Sequence, residues 1–308
     1  MYDVPILFVI FRRKDAALQS FSRIRDARPA RLYIAGDGPR PGVDGEAEQV
    51  EQTRKAVMDA IDWPCEVKTL FRDCNIGCGQ GVYTAINWLF EHEERGIIIE
   101  DDCVLQPSFF PFAEELLERY KDDERIGMID AANYVKGVEI AETYGFSRYM
   151  STNGWATWRR AWKHMDLAMT WRGTPMEQSV IANVGYKGKD MGSWKYRIKA
   201  IDHNYVSAWD WQWYFSLAAN NQLAIFPKYN LQTNIGFGEG ATHTTQRTTP
   251  DKYIAHKELS FPLIHPSVFA PNIAFDHRFY KQDNTISNTI KQWIPFGLKN
   301  RLKKLLNR

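Results

Sequence analysis

The chain has 308 residues, enough for one large domain or two small ones with a substantial core. At 44% hydrophobic and 25% charged, it has the balance of a soluble globular protein. A formal net charge of +2 is too small to point to nucleic acid as a partner.

The first 130 residues alternate strand and helix. Residues 4–11 (VPILFVIF) read as a buried strand, ended by Arg12 and Arg13. The run is too short for a signal peptide, and no stretch reaches the roughly 20 apolar residues that span a bilayer. Residues 14–27 follow with Leu18, Phe21 and Ile24 at helical spacing. RLYIAGDG (31–38) is a second strand closed by a glycine turn, 46–61 a helix, and CEVKTLF (65–71) a third strand. Cys65, Cys74, Cys78 and Cys103 show neither paired metal spacing nor disulfide density. They read as structural thiols in a reducing, cytoplasmic setting.

GQGVYTAINWLFEH (79–92) is the clearest helix, with Val82, Ala85, Ile86, Leu89 and Phe90 on one face. GIIIE (96–100) has the continuous apolar run of a strand covered on both faces. A helix over 107–120 and a strand over 125–133 complete the series. Repeated β-α units predict an α/β fold with a mostly parallel, doubly wound, Rossmann-like sheet. Ligands of such sheets bind beyond the carboxyl ends of the strands, where Glu100, Asp101 and Asp102 fall. Adjacent carboxylates without a nearby base suit Mg²⁺ or Mn²⁺, held by one or two of them plus substrate phosphates.

The segment IIIEDDCVLQPSFFPFAEELLERYKDDERIGMIDAAN resembles the metal-binding segment of GT-A nucleotide-sugar glycosyltransferases. It is particularly similar to N-acetylglucosaminyltransferase I and to bacterial HlpA-like proteins. The resemblance implies a GT-A fold in which Asp102 contacts the metal and Asp101 faces the nucleotide. FVIFRR resembles the entry to the nucleotide pocket, with Arg12 or Arg13 as the contact. AGDG resembles the turn whose aspartate, here Asp37, recognises uracil. As residues alone, an aspartate between glycines reads first as a turn-former, and its place at a parallel strand end is what turns the reading toward recognition. RDCNIGCGQG implies nucleotide contacts at Arg72, Asn75 and Gly77.

Composition changes after residue 136, and residues 151–215 hold eight of the eleven tryptophans. Most read as core, although aromatic faces also stack on sugars. GYKGKDMGSWKYR (185–197) reads as a loop. Asp210 stands between Trp209 and Trp211, where partial burial suits a carboxylate to proton transfer. WDWQW is similar to the family stretch whose aspartate is the general base, though the family's second acid is missing here. GWATW resembles the segment flooring the donor-sugar site, which implies Trp155. In NIGFGEGATHTT (234–245) the resemblance offers His243 to the metal, and Glu239 to the acceptor.

The expectation is a metal-dependent, inverting glycosyltransferase moving a sugar from a nucleotide-diphosphate donor, a UDP-sugar, to a glycan or lipid-linked acceptor. The alternatives are a sugar-1-phosphate nucleotidyltransferase and a non-catalytic haemolysin-like sugar- or membrane-binding protein. Residues 1–135 are expected to form the nucleotide-sugar half of one domain and 136–275 the acceptor and catalytic half. Residues 276–308 are expected to be a basic tail. Leu298, Leu302, Leu305 and Leu306 give its end an apolar stripe beside basic residues, a pattern suited to an anionic membrane surface at the inner leaflet.

Overall fold

The computed structural model describes residues 1–186, 188–207, 209–237 and 253–285. In chain order the strands are β1 (Ile6–Ile10), β2 (Arg31–Gly36), β3 (Glu66–Phe71), β4 (Arg95–Glu100), β5 (Cys103–Leu105), β6 (Ile126–Asp130), β7 (Tyr144–Ser147), β8 (Trp155–Trp158), β9 (Leu223–Pro227) and β10 (Gln232–Asn234). The helices are α1 (Lys14–Ala27), α2 (Glu46–Asp59), α3 (Cys78–His92), α4 (Phe109–Arg119), α5 (Arg159–Trp162), α6 (Glu177–Asn183), α7 (Met191–Asp202), α8 (Asp210–Ala219) and α9 (Ile273–Asp283).

Eight strands form one sheet in the order β3-β2-β1-β4-β8-β6-β9-β7. The β3-β2-β1-β4 half is parallel throughout. β8 then enters antiparallel between β4 and β6, and β7 closes the far edge antiparallel to β9. The fold is therefore α/β with a mostly parallel, Rossmann-like sheet, and the tryptophan-rich segment contributes strand β8 to it. A small second ladder pairs β10 with β5, setting Asn234 opposite Cys103.

Strand alternation explains how both faces are covered. On β4, Ile97 and Ile99 join Phe8, Phe21, Phe112 and Leu116 on the face under α1 and α4. Ile98 joins Leu7, Ala85, Leu89, Trp155 and Trp213 on the face under α3 and α8. Each fully buried isoleucine contributes about 1.5–3 kcal/mol, which is why this strand tolerates charge only at its end. Glu100, two residues beyond Ile98, shares the α3/α8 face.

The segment 185–197 departs from its expected loop. Helix α7 begins at Met191, and its Trp194 and Ile198 pack with Val180, Ile181 and Phe215. The helical spacing becomes visible only when the window runs past residue 197 to Ile198 and Ile201. Helix α9 crosses residue 276, where a separate tail was expected to start. Its Phe275 stacks on Phe226 of β9 at 3.7 Å, and Ser147 Oγ donates to Asp276 Oδ1 at 2.6 Å. The basic stretch 293–308 lies outside the described residues. Among the described residues, no helix is long and apolar enough to cross a membrane.

Candidate active site

The carboxyl edge of the parallel strands gathers the acidic turn. Asp101 and Asp102 link β4 to β5, and Arg13, at the N-cap of α1, meets both. Its Nη2 donates to Asp101 Oδ1 at 2.5 Å and to Asp102 Oδ2 at 2.9 Å. The Phe11 amide donates to Asp101 Oδ2, and Ser20 Oγ to the Asp101 carbonyl, so β1 and α1 together fix the turn. Burial works against the Arg13 charge, but Asp101 and Asp102 outweigh it and hold the guanidinium protonated. Burial pushes Asp101 up to about 6, with Arg13 pulling the other way. Burial, then Asp102, Asp101 and Asp210, push Glu100 up to about 8.

The loop after β10 wraps Asp102. The Ile235 amide donates to the Asp102 carbonyl at 2.9 Å. Gly236 lies so close that a Cβ there would stand 2.1 Å from Asp102 Oδ2. His243 and Glu239, the sequence candidates from this loop, lie outside the described residues. The functional signal of the segment within view is the glycine, which sequence reading had treated only as loop composition.

The other predicted nucleotide residues surround the neighbouring strand ends. Asp37 follows β2, and its carboxylate accepts from the amides of Ile76 and Gly77 at 3.0–3.1 Å. It thus holds the β3–α3 loop, the turn-forming role that its glycine neighbours suggest. Asn75 donates back to the Gly38 carbonyl at 3.0 Å, and Gly77 takes a φ of +85° that favours glycine. Arg72 donates to Thr84 Oγ1 at 2.6 Å. Arg54, which the sequence did not single out, binds the carbonyls of Gly36, Asp37 and Arg72 and lies over Phe71. Arg12 parts company with Arg13. It pairs with the fully buried Glu46 at 3.1 Å, which Arg40 also grips. No sequence signal marked Glu46, because an acid in a first helical turn is ordinary.

The reversed strand β8 brings the tryptophan-rich segment to this same edge, since its beginning lies where the parallel strands end. Trp155 was expected to floor a sugar site. It is fully buried, stacked on Trp209 at 5.8 Å and packed on Trp162 and Trp213. A ring with no accessible face supports the edge from beneath and cannot stack on a ligand. Trp209 and Trp213 are one helical turn apart and turn inward to that cluster. Asp210 and Trp211 leave on the other side, at the start of α8. Negative charge at a helix N-terminus is favoured by the helix dipole. Burial, then Glu100, Asp210, Asp102 and Asp101, push the Cys78 thiol up to about 12. The four acids therefore converge on the start of α3.

Beside Asp210 opens a cleft of about 190 Å³ lined by Trp211, Tyr214, Arg197, Asp283 and residues 150–153. Its polar lining escaped sequence reading because Arg197 and Asp283 come from α7 and α9, 86 residues apart. Among the described residues, no group of three or more His, Cys, Asp or Glu side chains is arranged to hold a metal. The hard oxygens of Asp101 and Asp102, drawn onto one cationic nitrogen, do match the donor set of a Mg²⁺ or Mn²⁺ completed by phosphate and water.

No protein-family model matches the chain, and no curated protein is significantly similar to it. Solved structures are similar at low identity. A mannosyltransferase, PcManGT from Pyrobaculum calidifontis, in complex with GDP-Man and Mn²⁺, matches at 11% identity and a TM-score of 0.37. That match covers 77% of this chain and 58% of the mannosyltransferase. A UDP-glucose pyrophosphorylase complexed with UDP-glucose matches at 10% identity and TM-score 0.34, over 53% of this chain and 78% of its own. HddC from Yersinia pseudotuberculosis matches at 9% and 0.32, over 52% and 78%.

Proposed function

We propose that this chain is a divalent-metal-dependent, inverting glycosyltransferase that uses a nucleotide-diphosphate sugar, a UDP-sugar, and a glycan or lipid-linked glycan acceptor. The observation that carries the reading is the convergence of Asp210 with the acidic turn. A carboxylate at the start of α8 acts electrostatically on Glu100 across the carboxyl edge of the sheet. One carboxyl group is thus set apart from a pair already occupied by a cation, a division suited to proton transfer on one side and anion binding on the other.

In this reading Asp102, with Asp101 beside it, would hold Mn²⁺ or Mg²⁺, which when bound would neutralise charge on the departing diphosphate. Arg13 stands at the same turn with a full positive charge for the phosphates, and the Asp37–Gly77 and Arg54 contacts fix the loops around the nucleotide base. Asp210 accepts the proton of the acceptor hydroxyl as its oxygen attacks the anomeric carbon. The nucleotidyltransferase alternative calls for a glycine-rich phosphate loop after β1. Here that place is taken by Phe11, Arg12 and Arg13, and both arginines are engaged with carboxylates.

Asp210→Asn tests the reading. With a UDP-sugar and Mn²⁺, it should bind donor and transfer sugar at least about 10²-fold more slowly, the low end of general-base contributions. Near-normal turnover removes Asp210 from the mechanism. Retention of anomeric configuration in the product, read by NMR, refutes direct displacement.

A further inference from the structure

The cleft beside Asp210 has features that the donor site does not use. Its volume, about 190 Å³, is below the roughly 300–1,000 Å³ of pockets for drug-sized ligands and suits one small ring. One wall is Trp211, half-buried, with its face left out of the tryptophan cluster formed by Trp209 and Trp213. Arg197 crosses the floor. Its Nη2 donates to Asp283 Oδ2 at 2.5 Å and its Nη1 to Ser193 Oγ at 2.8 Å. The guanidinium also lies 4.4 Å from the Trp194 ring centre and 5.7 Å from that of Trp211.

The remaining walls are braced. The Tyr214 hydroxyl donates to the Met150 carbonyl and accepts from the Met150 amide at 3.1 Å. The Ser151 amide donates to buried Asp130 at 3.1 Å, and Asn153 is tied to Tyr134 and Asn234. A polar cleft held this firmly loses little entropy on binding.

We infer that this cleft is the acceptor subsite and that it takes a single uncharged sugar ring. The inference rests on the glycosyltransferase reading for its role, though not for its binding chemistry. Trp211 offers an apolar face to one side of a pyranose. The Arg197–Asp283 pair offers donors and acceptors together, which vicinal hydroxyls match. Arg197, Asp210 and Asp283 sum to one negative charge, so a carboxylate-bearing sugar is repelled at the end nearest Asp210. A ring seated against Trp211 directs a hydroxyl toward the carboxylate one residue earlier in the chain.

The test uses methyl glycosides of glucose, galactose and mannose, with the methyl glycoside of glucuronic acid as the charged comparison. Binding to the full chain is read without donor by saturation-transfer NMR. At least one neutral glycoside should bind with a Kd on the order of 1 mM, what about 13 non-hydrogen atoms gain at ordinary ligand efficiency. Trp211→Ala should weaken it at least about tenfold, and Trp211→Phe, which keeps a stacking face, by less. Arg197→Met, which removes the hydroxyl partner at the floor, should weaken it also. Absence of any neutral glycoside binding, equal binding by wild type and both truncations, or tighter binding of the uronide overturns the proposal. UDP binding in Mn²⁺, read on the same samples by thermal shift, separates the two readings. UDP binding without glycoside binding overturns the cleft alone. Tryptophan-dependent glycoside binding without UDP binding upholds the cleft and overturns the glycosyltransferase.

Discussion

Arg13→Met removes the cation that, among the described residues, bridges Asp101 and Asp102, while keeping a chain of similar length and apolar character. Arg13 is about one-quarter exposed at its side chain, Asp101 8% and Asp102 21%, so solvent screens the site only in part. Opposite charges at about 4 Å attract by roughly 4 kcal/mol at an effective dielectric of 20, and breaking a fully buried pair costs about 3–5 kcal/mol. Discounted for the exposure, the expected loss is about 2–3 kcal/mol at pH 8. The loss should shrink toward pH 5, because Asp101 with a pKa of about 6 and Glu100 at about 8 carry protons there and need no counterion. Urea denaturation at both pH values, with and without 5 mM Mn²⁺ (~5 mM is ample for RT ln(1 + [L]/Kd) to register), measures this. Mn²⁺ should stabilise the variant more than the wild type, since in the wild type the guanidinium already occupies the carboxylates. A loss that is equal at pH 5 and pH 8, together with equal Mn²⁺ stabilisation of both proteins, would refute the assignment of Arg13 as resident counterion of this turn.

Gly236→Ala should displace the Asp102 carboxylate, because the new Cβ stands 2.1 Å from Oδ2. Overpacking of this kind costs about 1–3 kcal/mol, and calorimetry should show weakened Mn²⁺-dependent UDP binding in a protein that still melts cooperatively. Glu100→Gln addresses pH. A carboxyl raised from 4.5 to about 8 holds its proton more tightly in the folded state. Its contribution is full below the unfolded value and is lost as pH rises toward 8. The glutamine variant should therefore lose less stability than wild type between pH 5 and pH 8, by about 3–4 kcal/mol at about 1.4 kcal/mol per pKa unit. An unchanged pH profile would show that Glu100 is not buried among like charges.

The parallel half of the fold and its acidic turn were legible in the sequence because each depends on local pattern. Ile97–Ile99 form a strand covered on both faces by their composition alone, and three acids can follow only where that strand leaves the sheet. The helical periods of α1, α3 and α4 are equally local. Asp210 stood out because a charge flanked by tryptophans is rare. What needed tertiary structure is set by partners far along the chain. Both arginines after β1 looked alike, yet Arg13 meets Asp101 and Arg12 meets Glu46, a choice made by where α2 and β4 dock. Trp155 looked like a ligand platform until the reversed entry of β8 sealed it beneath Trp209 and Trp213. The cleft unites Arg197, Trp211 and Asp283 from three helices with no spacing to announce it. Periodicity records which face of an element is apolar; only the docking of elements decides which polar side chains end up facing one another.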